Sequence, residues 1–174
     1  MSADGGHGRA EAYLYDHNDG EWAFQERAQT IRQTQIILDS FERLLDTPLI
    51  PRLGNAQADA KALYEAPFAV LSHGIEPDPI LNYGNMTALR LWETSLDRLL
   101  STPSRLTAEP MVREARETLM NEVLHTGFMR NYSGVRIAAT GRRFRIENVT
   151  IWNLSLPDGS FAGQAATFDT WSDL

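Results

Sequence analysis

Residues 66–93 read APFAVLSHGIEPDPILNYGNMTALRLWE, and this stretch decides the fold. Phe68 to Ser72 is a short apolar run of strand-like residues. The segment from Gly74 to Pro79 carries two prolines in three positions, which forbids regular ladder pairing and marks a turn. Ile80 to Tyr83 then reads as the partner strand. Gly84 and Asn85 break that strand, and Asn85 is suited to cap a helix running from Met86 to about Glu93. Leu89 and Trp92 lie three apart on one face of that helix.

On the N-terminal side, Trp22 to about Leu45 reads as a helix. Phe24, Ala28, Ile31, Leu38, Phe41 and Leu45 recur mostly at spacings of three or four, and Pro48 and Pro51 end the pattern. So broad a stripe needs a cover, either its own domain or a second subunit. Asn55 to Tyr64 reads as a second, short helix. Residues 1–20 read as a flexible leader, 21–50 as a packing or dimerising helix, and 55–170 as the domain proper.

On the C-terminal side, Ser95 to Leu100 forms a helical turn. A longer helix follows Pro110, with Met111, Ala115, Leu119 and Val123 four apart. Gly127 stops it. After Gly127 the period changes to that of strands: Phe128 to Ala139, Arg142 to Leu154 and Phe161 to Phe168. Pro157, Asp158 and Gly159 mark a hairpin turn. By simple alternation Phe144 and Ile146 point one way, and Val149 and Ile151 the other. The expected class is α+β: a five-stranded antiparallel sheet, short helices over one face, and an extra N-terminal helix.

Composition narrows the function classes. With 43% hydrophobic and 22% charged residues, 174 residues suffice for one domain with a real core. The net charge of −7 gives no general attraction to nucleic acid. Arg142, Arg143 and Arg145 form the one evident basic cluster, read as a charged strand edge. There is no cysteine, so disulfides, thiolate chemistry and a covalent cysteinyl flavin are excluded. The first twenty residues lack the pattern of a signal peptide, and no apolar run is long enough to span a bilayer. A cytoplasmic location, with no nucleic acid and no membrane partner, is the expectation. No phosphate-binding glycine loop, H-E-x-x-H or G-x-S-x-G occurs.

The stretch 66–93 resembles the MEKHLA domain, a relative of the PAS domains. The shared features are a strand, H-G-x-E-x-D-P, a strand, N-Y-x-N, and a helix with L-x-L-W-E. Residues 103–109, PSRLTAE, fall where that family carries a similar segment. The resemblance covers roughly Asn55 to Phe168. It implies a PAS-like sensory or ligand-binding module of the free-standing bacterial type, without catalytic machinery, signalling through dimerisation or a partner protein. The family's plant members are joined to a homeodomain and zipper. This chain has neither a basic homeodomain-like segment nor heptads, so a DNA-binding role does not carry over. A homodimer through the N-terminal helix or the outer sheet face is the partner expected beside a small molecule. The alternatives are a structural or protein-interaction module with a filled core and, behind it, a small-molecule enzyme.

In a PAS-like fold the helices enclose a pocket over the inner face of the sheet. Tyr83, Trp92, Asn148, Thr150, Trp152 and Gln164 are the candidate lining, three aromatics with polar groups set in strands. His73, Glu76 and Asp78 lie on or beside the Pro-rich turn. They are a ligand set for a metal or a proton relay in principle, but more simply hold the loop by hydrogen bonds. Asn82 and Asn85 are assigned the same structural kind of role. His125, at the end of the long helix, is a position for a haem ligand. The helix dipole explains a histidine there without one, so haem is disfavoured and no metal is expected.

Overall fold

A computed structural model describes residues 24–174. The expected leader and residues 21–23 of the expected first helix lie outside the described residues. The helices are α1 (Ala28–Leu45), α2 (Ala56–Tyr64), α3 (Met86–Leu91), α4 (Leu96–Leu99) and α5 (Pro110–Thr126). The strands are β1 (Ala69–His73), β2 (Leu81–Gly84), β3 (Phe128–Ile137), β4 (Arg143–Ser155), β5 (Phe161–Phe168) and β6 (Thr170–Asp173).

All pairings are antiparallel, in the order β2-β1-β5-β4-β3. The sixth strand, β6, adds no new position. It continues along the same side of β4 in the register β5 leaves, with Asp169 between them. The sheet is therefore five strands wide, as the sequence predicts, with its fifth strand prolonged.

Asn148 divides β4 into two halves. Its φ of +53° lies in the left-handed region, which asparagine tolerates better than most residues. The side-chain alternation restarts there. Ile146, Val149 and Ile151 consequently line one common cavity, beside Phe144 packed on Trp92. The expectation that Phe144 and Ile146 oppose Val149 and Ile151 is corrected: period two holds within each half and fails across the left-handed residue.

Trp152 takes the opposite face, and α1 covers it. Ile37, Leu38 and Phe41 are buried. The Phe41 ring meets Trp152 edge-on at 5.0 Å, and Trp152 Nε1 donates to the Ile37 carbonyl at 3.3 Å. Ser40 Oγ accepts from Ser155 N at 3.0 Å. The buried side of the α1 stripe is thus packed on its own sheet, the first of the two covers the sequence allows.

Arg52 fastens α1 to α2. It reaches Asp39 at 2.9 Å, the Gln35 side chain at 2.7 Å and the buried Asp59 at 3.0 Å. Burial pushes the Asp59 carboxyl up, but the Leu53 N–H and Arg52 outweigh it and hold the pKa below its ordinary value.

Candidate functional site

The inner face of the sheet, the indole of Trp92 and α5 line a cavity of about 50 Å³. Its apolar wall includes Leu71, Leu81, Ile146, Val149, Ile151 and Phe168. A second, open basin of about 430 Å³ lies between the Pro-rich turn and α5. The two share His73, Ser104, Arg116, Met120 and Gln164, which form the neck between them.

The neck is placed by local rules. His73 ends β1, and β5 approaches its backbone so closely that a Cβ on Gly163 would lie 2.0 Å from the His73 carbonyl oxygen. Gly163 has φ +123°, so only glycine suits this position. The Pro-rich turn is fixed by its own acids: Glu76 accepts from Ile80 N at 3.2 Å, and both Asp78 oxygens accept from Arg105 Nε at 3.1 Å. Ser104 N donates to the Pro79 carbonyl at 2.8 Å, closing the turn on the segment before α5. Gln164 Nε2 donates to the Met120 carbonyl and to Asn153 Oδ1, at 2.9 and 3.1 Å. Among the described residues no group of three or more histidines and acids is arranged to hold a metal ion.

Two cations face the inner cavity, Arg116 from α5 and Arg136 from β3, at 9% and 5% exposure. Arg116 donates to Ser104 Oγ. Arg136 donates to the Val135 carbonyl at 2.9 Å and the Tyr132 hydroxyl at 3.3 Å, and lies over the Tyr132 ring at 5.5 Å. Among the described residues neither forms an ion pair with a carboxylate. Burial, reinforced by the charge of Arg136, pushes the Arg116 pKa down to about 10. Trp92 Nε1 is buried without a hydrogen-bond acceptor among the described residues.

Of the sequence candidates, the structure brings Trp92, Gln164 and His73 to this region. Tyr83 is fully buried under the N-terminal segment, 5.8 Å from the Phe24 ring. Burial raises its pKa. Trp152 is under α1, and Asn148 is exposed at the bulge. Thr150 lies outside both compartments. These four therefore do not line the cavity. Alternation alone could not tell inner from outer once Asn148 and the β1–β2 irregularity at His73 reset the phase. Asn82 accepts from Ser72 Oγ at 2.5 Å and from Gln33 at 3.4 Å, beneath α1. Asn85 caps α3. His125 is exposed and lines neither compartment. In the basic cluster, Arg142 pairs with Asp173 and with Glu93, and Arg143 with Glu109.

Arg116 and Arg136 are the residues that sequence reasoning missed. On α5 the inward positions are Arg116, Met120 and Val123, while Ala115 is exposed. Seeking apolar residues every fourth position selects Ala115 and passes over the arginine beside it. The available signal was spacing: Arg116 precedes Met120 by four and Val123 by seven, on one helical face.

His73 supplies a pH prediction. Burial lowers its pKa below the ordinary 6.5, and the Arg116 charge acts the same way. The Gly74 carbonyl, Gln164 and Glu76 pull against this. The unfolded chain therefore takes up a proton near pH 6.5 while the folded chain stays neutral to lower pH. Stability at His73 is constant above that window and declines as pH falls through it. Imidazole proton NMR is expected to place the His73 midpoint below 6.5, and a midpoint at or above 6.5 contradicts the burial argument.

A five-stranded antiparallel sheet, with short helices on its inner face and a cavity between, defines a PAS-like α+β protein. The chain belongs to the MEKHLA domain family, whose sequence profile matches residues 31–173. The match starts inside α1, so the family unit includes most of that helix. No curated protein matches the chain. Among solved structures, a PAS domain from Colwellia psychrerythraea is 15% identical, with a TM-score of 0.57 over 68% of this chain and 95% of that one. A light-oxygen-voltage domain studied with a flavin analogue is 17% identical, with a TM-score of 0.54 over 67% and 84%. A fungal light-oxygen-voltage photoreceptor domain is 16% identical, with a TM-score of 0.52 over 79% and 91%. At these identities the likeness shows the fold. Among the described residues no helix is long and apolar enough to cross a membrane.

Proposed function

We propose that this chain is a non-catalytic sensory module whose input is a small molecule seated in the inner cavity and reached from the basin beside the Pro-rich turn. The observation that carries this is the neck. Four polar side chains, His73, Ser104, Arg116 and Gln164, converge where an apolar cavity meets an open basin. Polar groups concentrated at one point of an apolar wall are the pattern of a ligand site. The cavity's 50 Å³ favours a small ligand over a flavin ring system, and the absence of cysteine removes cysteinyl-adduct photochemistry.

A non-catalytic role agrees with the hydrogen bonding of the neck. Ser104 Oγ accepts from Arg116, and His73 Nδ1 faces the Gly74 carbonyl at 2.9 Å. Among the described residues of the neck, no serine–histidine pair is set up for nucleophilic attack. The output passes to a partner protein or a second copy through a surface other than the α1 stripe.

The test is native mass spectrometry of protein purified from its own host, followed by denaturation and identification of what is released. A stoichiometric small molecule is the expected result. An empty protein, unresponsive to a panel of metabolites by thermal shift, rejects sensing and leaves a filled-core interaction module.

A further inference from the structure

The lining of the inner cavity is electrostatically unbalanced. Arg116 and Arg136 reach it from different elements, both buried, and among the described residues no aspartate or glutamate lines it. Their hydrogen bonds end on neutral oxygens, those of Ser104, Val135 and Tyr132. A buried guanidinium without a counter-charge is costly, and two facing one compartment repel each other. Folds retain such an arrangement where something of opposite charge completes it. The unsatisfied Trp92 Nε1 is a further buried donor on the same wall.

Size and surroundings narrow the anion. At roughly 15 Å³ per water-sized group, the inner cavity holds about three or four non-hydrogen atoms. That suits a carboxylate and the one carbon attached to it, with any further carbon in the neck. Guanidinium matches a planar carboxylate in paired hydrogen bonds. A phosphate offers more oxygens and more charge than this cavity can satisfy, since Ile146, Val149, Ile151 and Phe168 offer no donor.

Resting on the sensory reading above, we infer that the cavity binds a small organic acid, its carboxylate held between Arg116 and Arg136 and the rest of the molecule directed through the neck towards the basin. Charge neutralisation is then the event the domain detects. The free state holds two repelling cations between α5 and β3, and the bound state draws those elements onto one anion.

The test is thermal unfolding of the full chain with sodium propionate, against propionamide, sodium chloride and sodium phosphate at matched ionic strength. Propionate is expected to raise Tm saturably, by about 8 °C near a hundredfold excess over Kd, and the three controls to leave it flat. Arg116→Met and Arg136→Met are each expected to raise Tm of the free protein by removing an unpaired buried charge, and to abolish the propionate response. Arg136→Lys keeps the charge without the planar fork, and is expected to fold like the parent with a weaker response. Equal stabilisation by propionamide, a larger effect of phosphate, or methionine variants that still respond to propionate would each overturn the inference. The two levels separate cleanly. A neutral compound released from host-purified protein overturns the anion and leaves small-molecule sensing intact, whereas an empty protein deaf to both propionate and metabolites removes both.

Discussion

Asn85→Ala is expected to cost about 4 kcal/mol of folding stability and to lower Tm by roughly 12 °C. The side chain is fully buried and joins four backbone groups from three segments. Its Oδ1 accepts from Val70 N at 3.0 Å, on β1, and from Ala88 N at 3.1 Å, in the first turn of α3. Its Nδ2 donates to the carbonyls of Leu63 and Phe68, at 3.2 and 2.7 Å. Alanine strands all four. Each orphaned buried group costs on the order of 1–3 kcal/mol, and the total is less than the sum because some find water. Asn85→Asp is expected to be at least as damaging, because it removes both donors and places a carboxylate against two carbonyl oxygens. Urea unfolding checks this, and a loss under 1 kcal/mol for the alanine variant would show that the clamp does not hold the strand to the helices.

Trp152→Ala is expected to cost about 4 kcal/mol, the usual range for removing a buried tryptophan. The ring is fully buried between β4 and α1, against Phe41. Its loss opens a cavity at the centre of the seam joining the N-terminal helix to the sheet. Trp152→Phe keeps much of the packing and removes the Nε1 bond to the Ile37 carbonyl. It is expected to cost less, about 1–2 kcal/mol. If the alanine variant loses as little as the phenylalanine one, α1 does not pack on the sheet as described. The stripe from Phe24 to Leu45 would then again be available to a partner.

These two residues also show how far the sequence could be read. Asn85 was legible as a cap, since asparagine after a glycine and before an apolar helical run has few other local roles. Its second role, holding β1 to the end of α2, depends on contacts 15 to 22 residues away. No local pattern encodes them. Trp152 was legible as a buried aromatic, but not as an outer-face one. Its face is set by Asn148, whose left-handed backbone shifts the alternation by one, and asparagine in a strand does not announce that conformation. The same limit misplaced Thr150 among the cavity residues.

The strands, helices and their order were readable because turn residues and the change from period 3.6 to period two are strong local signals. The short strand β6 was not, because Thr170 to Asp173 are all exposed and carry no apolar alternation. The site was half legible. Trp92 and Gln164 stand out as an aromatic and an amide within otherwise apolar elements. Arg116 and Arg136 do not, because an arginine in a helix or strand is ordinarily a solvated residue. Only the packing of α5 against the sheet turns them inwards, and it is their burial without a counter-charge that gives the cavity its chemical character.

The most direct test of the account is a crystal structure of the protein purified from its host without unfolding, at a resolution that distinguishes a carboxylate from water. The account predicts continuous density in the inner cavity, in contact with both Arg116 and Arg136 and extending past His73 and Gln164 into the basin. A cavity collapsed around its own side chains, with both arginines turned out to surface carboxylates, would contradict it.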